Sequence, residues 1–196
     1  MVENNIEEQE MEKLINQCLE NIYYEIGRIA SVWSMLEFNI DQLIWKLLDV
    51  EQTLGACITT QIMGIAPRIR SLKALLEVFR APKHFIKKIN KFSDKIIPMQ
   101  EERNRLIHDP WFINNERPVQ IRKAIIKNEI VYKTLVIDVE KIKEIYNKTL
   151  ALLKEFNGYI NEIQNEPSLT SCKKVQKDIL RAPLRSDIQS YLNSNL

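Results

Sequence analysis

The amino-acid sequence predicts a mainly α-helical fold, an up-and-down helical bundle that carries a β-hairpin insertion near residues 118–137. Apolar residues recur at three- and four-residue steps through most of the chain, which is the period of an amphipathic helix. The 196 residues include only 4 glycines and 7 prolines, so few irregular connections are expected. One stretch between helical regions is instead rich in valine, isoleucine and tyrosine with polar residues interleaved, which predicts the hairpin.

The first helix is predicted over residues 5–49. Its apolar face consists of Ile26, Ile29, Ala30, Trp33, Leu36, Ile40, Leu43, Ile44 and Leu47. Such a stretch is much longer than a typical globular helix of about 8–20 residues, so a break is expected near Asn21–Gly27.

Two shorter helices are predicted next. One covers Thr53–Met63. The other begins near Pro67, because the missing N–H of proline is no loss in a first helical turn. The apolar face of this second helix consists of Ile69, Leu72, Leu75, Leu76 and Phe79.

The next helix is predicted to run from Pro82 to about His108. Asp109 ends it, because a residue before proline disfavours helical dihedral angles. Pro98 lies inside the helix and is expected to kink it.

The hairpin is predicted in the stretch VQIRKAIIKNEIVYKTLVID, with its turn near Asn128-Glu129. Asp138 then caps the N-terminus of a last long helix. The apolar side of that helix is formed by Val139, Ile142, Ile145, Tyr146, Thr149, Leu152, Leu153, Phe156 and Ile160.

We expect residues 1–166 to form the bundle with its hairpin, and residues 167–196 to form a C-terminal appendage that is ordered in part. The formal net charge of +2 gives no overall attraction to nucleic acid or membrane. The sequence shows no signal peptide and no apolar run of membrane-spanning length. Three widely spaced cysteines are interpreted as reduced thiols. A cytoplasmic protein is therefore expected.

An arginine interrupts the apolar stripe of the helix that ends at His108. The stripe has a 4-3-4-3-4-3 spacing and consists of Phe85, Ile89, Phe92, Ile96, Met99, Arg103 and Leu106. A guanidinium stays charged, so burying it without a partner is unfavourable. Three explanations are open: the helix unwinds there, an acid pairs with Arg103, or the stripe borders a cleft that binds anions.

Lysines recur at i+4 steps on the side of this helix opposite the stripe, at Lys83, Lys87, Lys91 and Lys95. Two interpretations are open. The lysines form a solvated face, as in an ordinary amphipathic helix, or they form a row of phosphate contacts.

The segment RNRLIH, residues 103–108, resembles the R-x(4–6)-H motif of HEPN domains (higher eukaryotes and prokaryotes nucleotide-binding). Arg103, Asn104 and His108 match its fixed positions, and the resemblance covers about residues 22–163. It implies a HEPN-type bundle and a metal-independent endoribonuclease that uses no cofactor, acts on RNA as a homodimer, and serves as a toxin or phage-defence effector. It also implies an antitoxin partner, for example a nucleotidyltransferase.

The residue types suit that chemistry. Histidine, with a reference pKa near 6.5, exchanges protons at neutral pH. Arginine stabilises charge on phosphoryl oxygens, and Asn104 is expected to orient the histidine or bind a phosphate oxygen. Arg103 and His108 lie about 140° apart around an ideal helix, so two copies of the helix about a two-fold axis are expected to complete the site.

Four further residues are supporting candidates. Glu37 either pairs with Arg103 or lies at the edge of an apolar face. Glu102 either tunes Arg103 or is solvated. Asp109 either caps the helix end or starts the turn with Pro110, and Trp111 either stacks on a base or packs in the core. The sequence predicts no metal ligands.

Two other functions remain open. The chain is alternatively a non-catalytic helical adapter, with Arg103 and His108 as structural polar residues at a dimer seam. A third interpretation is a nucleotide- or RNA-binding module that does not cleave its ligand.

Overall fold

A computed structural model describes residues 2–114, 117–126 and 129–170 of the chain. The described elements, in chain order, are α1 (Val2–Leu48), α2 (Gln52–Thr59), α3 (Ile65–Val78), α4 (Lys83–His108), β1 (Trp111–Asn114), β2 (Arg117–Ile126), β3 (Glu129–Val136), α5 (Val139–Gln164) and α6 (Pro167–Thr170). The fold is a helical bundle in which α1 packs against α3, α4 and α5, and α4 also packs against α3 and α5. The predicted mainly helical architecture with a hairpin insertion is confirmed.

Helix α1 is continuous over 47 residues, so the predicted break near Asn21–Gly27 is wrong. Ile22 lies within this region and Ile29 just after it, and both are fully buried against the same apolar cluster. Continuing the helix keeps both side chains on that face, whereas a break would expose one of them. Gly27 faces open space, so its low helix propensity is tolerated.

Helix α2 ends at Thr59, four residues before the predicted end at Met63. The Thr59 hydroxyl accepts a hydrogen bond from the Trp45 indole N–H at 3.1 Å, which fixes the end of α2 against α1. The chain then turns at Gly64, whose φ of +78° lies in the left-handed region that favours glycine.

The predicted limits of α4 and the predicted start of α5 are confirmed. Helix α4 begins directly after Pro82 and ends before Asp109. At the start of α5, the Asp138 carboxylate accepts a hydrogen bond from the backbone N–H of Lys141 at 2.8 Å, as expected of an N-cap residue.

The inserted sheet has three antiparallel strands in the order β1-β2-β3, where the sequence predicted two. The predicted hairpin corresponds to β2 and β3, with Val119 opposite Val136 and Ile126 opposite Glu129. The additional strand β1 pairs with β2, placing Trp111 opposite Gln120. Four residues are too few to show the alternation by which a strand is predicted from sequence.

The predicted C-terminal appendage lies mostly outside the described residues. Within its described part, α6 follows α5, and Leu169 is buried against the main core. Residues 171–196 lie outside the described part of the chain. No helix among the described residues is both long and apolar enough to cross a membrane.

The bundle has two apolar clusters. The main core includes Trp33, Ile96 and Leu152, and a smaller cluster beside the sheet includes Ile29 and Leu106. Polar side chains lie where the two clusters meet. On α4, Arg103 lies between Ile96 of the main core and Leu106 of the smaller cluster. On α5, Thr149 falls between the clusters and donates its hydroxyl hydrogen to the Ile145 carbonyl at 2.9 Å.

Replacing either of two glycines with alanine is expected to change stability in opposite directions. A Cβ added at Gly55 would lie 2.5 Å from Cδ1 and 2.7 Å from Cδ2 of the buried Trp45 ring, whereas one at Gly27 would meet nothing within 4 Å. We expect Gly55→Ala to lower the free energy of unfolding by about 1–3 kcal/mol or more through overpacking. Gly27→Ala is the matched control and should raise it by about 0.5–1 kcal/mol. Urea denaturation of both variants measures these changes, and equal midpoints would contradict the packing described at Trp45.

Candidate active site at the end of α4

Arg103 lies on the core-facing stripe of α4, half-buried. Helix α4 continues through it to His108, so the helix does not unwind there. Within the described residues no carboxylate lies within ion-pair distance of Arg103. Of the three explanations that the sequence left open, unwinding of the helix is ruled out, and no acid partner is found among the described residues.

The contacts of Arg103 come from an aromatic ring and an amide. Its guanidinium carbon lies 5.9 Å from the centroid of the Trp33 ring, a cation–π distance that contributes about 0.5–2 kcal/mol. Its Nη1 donates a hydrogen bond to Asn104 Oδ1 at 3.0 Å. These two contacts orient the guanidinium without neutralising its charge.

Glu37 belongs to the same cluster, although it does not pair with Arg103. The Trp33 indole N–H donates a hydrogen bond to Glu37 Oε1 at 3.3 Å. Glu37 therefore fixes the ring that the Arg103 guanidinium faces, and its connection to Arg103 runs through Trp33.

His108 lies in the last turn of α4 and is exposed. Its imidazole makes no hydrogen bond or ion pair with any residue that the structure describes. Asp109 follows as the C-cap residue, and its backbone N–H donates to the Arg105 carbonyl at 3.0 Å. The imidazole is thus accessible from solvent.

A single chain brings Arg103 and Asn104 together but leaves His108 apart from Arg103. Arg103 faces Trp33 on α1, whereas His108 faces solvent, in agreement with the angle of about 140° between positions five residues apart on an ideal helix.

Buried polar atoms without partners are concentrated in this segment. Among the described residues, three buried side-chain nitrogen or oxygen atoms have no hydrogen-bond partner: Gln100 Oε1, Arg103 Nε and Asp109 Oδ2. All three lie within residues 100–109. An unpaired buried polar group is unfavourable by about 1–3 kcal/mol, and such groups call for a specific explanation.

The sheet is fastened to the end of α4 by two side chains. The Trp111 indole N–H donates to the Leu106 carbonyl at 3.1 Å, and Trp111 packs half-buried against the smaller cluster. Gln120 Nε2 donates to the Arg105 carbonyl at 2.8 Å. Gln120 is fully buried. The sequence analysis did not single it out, because its role depends on how the sheet lies against α4.

The remaining charged candidates lie at the surface. Glu102 is exposed, as are the four lysines at i+4 steps on α4. Lys95 pairs with Glu155 on α5 at 2.8 Å. The four lysines therefore form an exposed face of α4, with one of them paired to an acid on α5.

Comparisons of the chain with protein-family models, with curated proteins and with solved structures give no match. Within residues 2–114, 117–126 and 129–170 there is no group of three or more histidine, cysteine or acidic side chains arranged to hold a metal ion. The functional interpretation therefore depends on the chemistry of the residues themselves.

Proposed function

We propose that this protein is a metal-independent endoribonuclease of HEPN type, acting as a homodimer in the cytoplasm as a toxin or phage-defence effector. The observation that carries the proposal is the half-buried Arg103, a guanidinium without a carboxylate partner among the described residues, in the same two helical turns as the exposed His108. The match of RNRLIH to the HEPN motif supports the same assignment.

The proposed reaction is a transesterification within RNA. The 2′-hydroxyl loses its proton to a histidine and attacks the adjacent phosphorus, forming the 2′-O–P bond. The P–O5′ bond breaks, and the 5′-oxygen takes up a proton. Arg103 stabilises the negative charge that builds on the phosphoryl oxygens, and Asn104 holds Arg103 in position through its 3.0 Å hydrogen bond.

The separation of the two groups within one chain supports the proposed homodimer. Two copies of α4 about a two-fold axis would bring the His108 of each copy towards the Arg103 of the other. One histidine would then act as base and the other as acid, which a single chain with one motif cannot do.

The test uses purified protein and a labelled RNA, with either EDTA or Mg²⁺ in the buffer. We expect equal cleavage rates in the two buffers. Cleavage that appears only with Mg²⁺, or no cleavage of any RNA pool, would contradict the proposal.

A second function, a non-catalytic helical adapter, is favoured by the contacts of Arg103 with Trp33 and Asn104, which suit a structural role. In that case Arg103→Ala lowers the melting temperature or dissociates a dimer, and the wild type leaves RNA intact. The same RNA assay therefore separates the two functions, with size-exclusion chromatography and light scattering reporting the oligomeric state.

A further inference from the structure

A groove with a volume of about 380 Å³ opens where α4, β2 and α5 meet. It lies beside the segment that carries the motif, on a different face of α4 from Arg103. The charged side chains that line it are Lys95, Glu101, Glu102, Arg105, Arg122 and Lys148.

The two lysines of the groove are already paired with acids. Lys95 Nζ lies 2.8 Å from Glu155, and although burial raises the pKa of Glu155, hydrogen bonds from Lys95 and Tyr159 lower it overall. Lys148 Nζ lies 2.6 Å from Glu144. Hydrogen bonds from Lys141 and Lys148 lower the pKa of Glu144 to about 2. Both lysine charges are therefore compensated within the protein.

The two arginines of the groove are not compensated in this way. Across the described parts of the chain, neither Arg105 nor Arg122 forms an ion pair. Among the described residues Arg122 donates only its Nε, to Gln120 Oε1 at 2.9 Å, so neither of its terminal nitrogens is engaged there. Both side chains are half-buried.

A buried glutamine connects the backbone of Arg105 to the side chain of Arg122. Gln120 is 0% exposed, donates to the Arg105 carbonyl and accepts from Arg122 Nε. One side chain thus ties the backbone of the first arginine to the guanidinium of the second. Arg122 is thereby oriented before any ligand arrives, which lowers the entropy lost on binding.

Arg105 is also the groove residue nearest in sequence to the exposed histidine. It precedes His108 by three residues, and residues at i and i+3 are neighbours on a helix surface. The groove therefore adjoins the histidine side of the motif, while Arg103 faces α1.

We propose that Arg105 and Arg122 form a phosphate-binding site for single-stranded RNA, which holds a phosphodiester next to the one that is cleaved. This inference rests on the proposed RNA substrate. Two guanidinium forks match the oxygens of a phosphate. Glu101 and Glu102 at the groove oppose diffuse attraction of polyanions, so the site selects a phosphate that reaches both arginines.

The test measures binding without cleavage. A fluorescein-labelled 2′-O-methyl RNA has no free 2′-hydroxyl and cannot be cut by the proposed reaction, so fluorescence anisotropy reports affinity alone. The variants are Arg105→Gln, Arg122→Gln and Arg122→Lys. Lys87→Gln, which removes the same charge from the solvated face of α4, is the matched control.

We expect Arg105→Gln and Arg122→Gln each to weaken binding about tenfold or more, because each removes a charge-assisted hydrogen bond. Each should also reduce the slope of log K against log salt, by at most about 0.7, the value for one phosphate contact on a single strand. Arg122→Lys should retain the salt slope, and Lys87→Gln should leave affinity unchanged. Arg105→Gln removes no side-chain hydrogen bond seen in the described residues, so it keeps the test valid if Arg122→Gln folds poorly.

Binding that is unaffected by both arginine variants, or equally reduced by Lys87→Gln, would overturn the site, as would a wild-type protein that does not bind this RNA. If the arginine variants lose affinity but no variant cuts natural RNA, the groove stands and the ribonuclease proposal fails. If natural RNA is cut while the arginine variants bind normally, the ribonuclease proposal stands and the phosphate site in the groove fails.

Discussion

Replacing His108 with alanine is expected to lower the rate of RNA cleavage by about 10²–10⁴-fold, the contribution typical of a positioned general acid or base. His108 is exposed at the end of α4 and bonded to none of the residues that the structure describes, so its removal should leave the fold and melting temperature unchanged. A single-turnover assay with labelled RNA measures the rate, and circular dichroism measures the fold.

The second histidine of the chain provides a matched control. His84 is also exposed and lies at the other end of α4, where its ring packs 4.0 Å from that of Phe85. His84→Ala removes the same functional group from the same helix and should cleave at the wild-type rate. Equal activity of His108→Ala and wild type would show that His108 takes no part in the chemistry.

The largest loss of stability is expected from Arg68→Met. Arg68 Nε lies 2.8 Å from Asp41 Oδ1, and both side chains are only 12% exposed. The same guanidinium donates to the Gly64 carbonyl at 3.0 Å, so it joins α1 to the turn before α3. Removing it leaves a buried, unpaired carboxylate, for which a loss of about 3–5 kcal/mol is typical.

Two further variants make this stability prediction specific. Arg70→Met alters an exposed arginine of the same helix and should change the urea midpoint little. The double variant Asp41→Leu with Arg68→Met removes both charges and should recover much of the loss, because well-packed apolar replacements of buried pairs are often neutral. A loss below about 1 kcal/mol for Arg68→Met would contradict a buried ion pair there.

Helix boundaries set by local chemistry were predictable from the sequence. Pro82, the Asp109-Pro110 pair and the Asp138 cap act through their own backbone or side chains, and each lies where the sequence placed it. The break predicted near Gly27 was wrong because burial of Ile22 and Ile29, a tertiary effect, outweighs the local propensity of one glycine. Strand β1 was missed although its pairing with β2 is local, with Asn114 opposite Arg117, because four residues make too short a pattern to stand out in the sequence.

The residues of the candidate site could be predicted from the sequence, but their contacts with other parts of the chain could not. The heptad spacing placed Arg103 on the packing face, and the structure has it there. Its contact with Trp33 joins residues 70 positions apart in the chain, and no spacing rule anticipates it. The arginine pair of the groove was missed for the same reason, since Gln120 connects Arg105 to Arg122 only after the sheet has folded onto α4.

The central claim is that the residues of RNRLIH cleave RNA through attack by the 2′-hydroxyl. It is tested most directly by the chemical ends of RNA fragments that the purified protein produces in EDTA. We predict a 2′,3′-cyclic phosphate on one fragment and a 5′-hydroxyl on the other, with neither formed by His108→Ala. Fragments that carry a 3′-hydroxyl and a 5′-phosphate would contradict the claim, because water and not the 2′-hydroxyl would then have attacked the phosphorus.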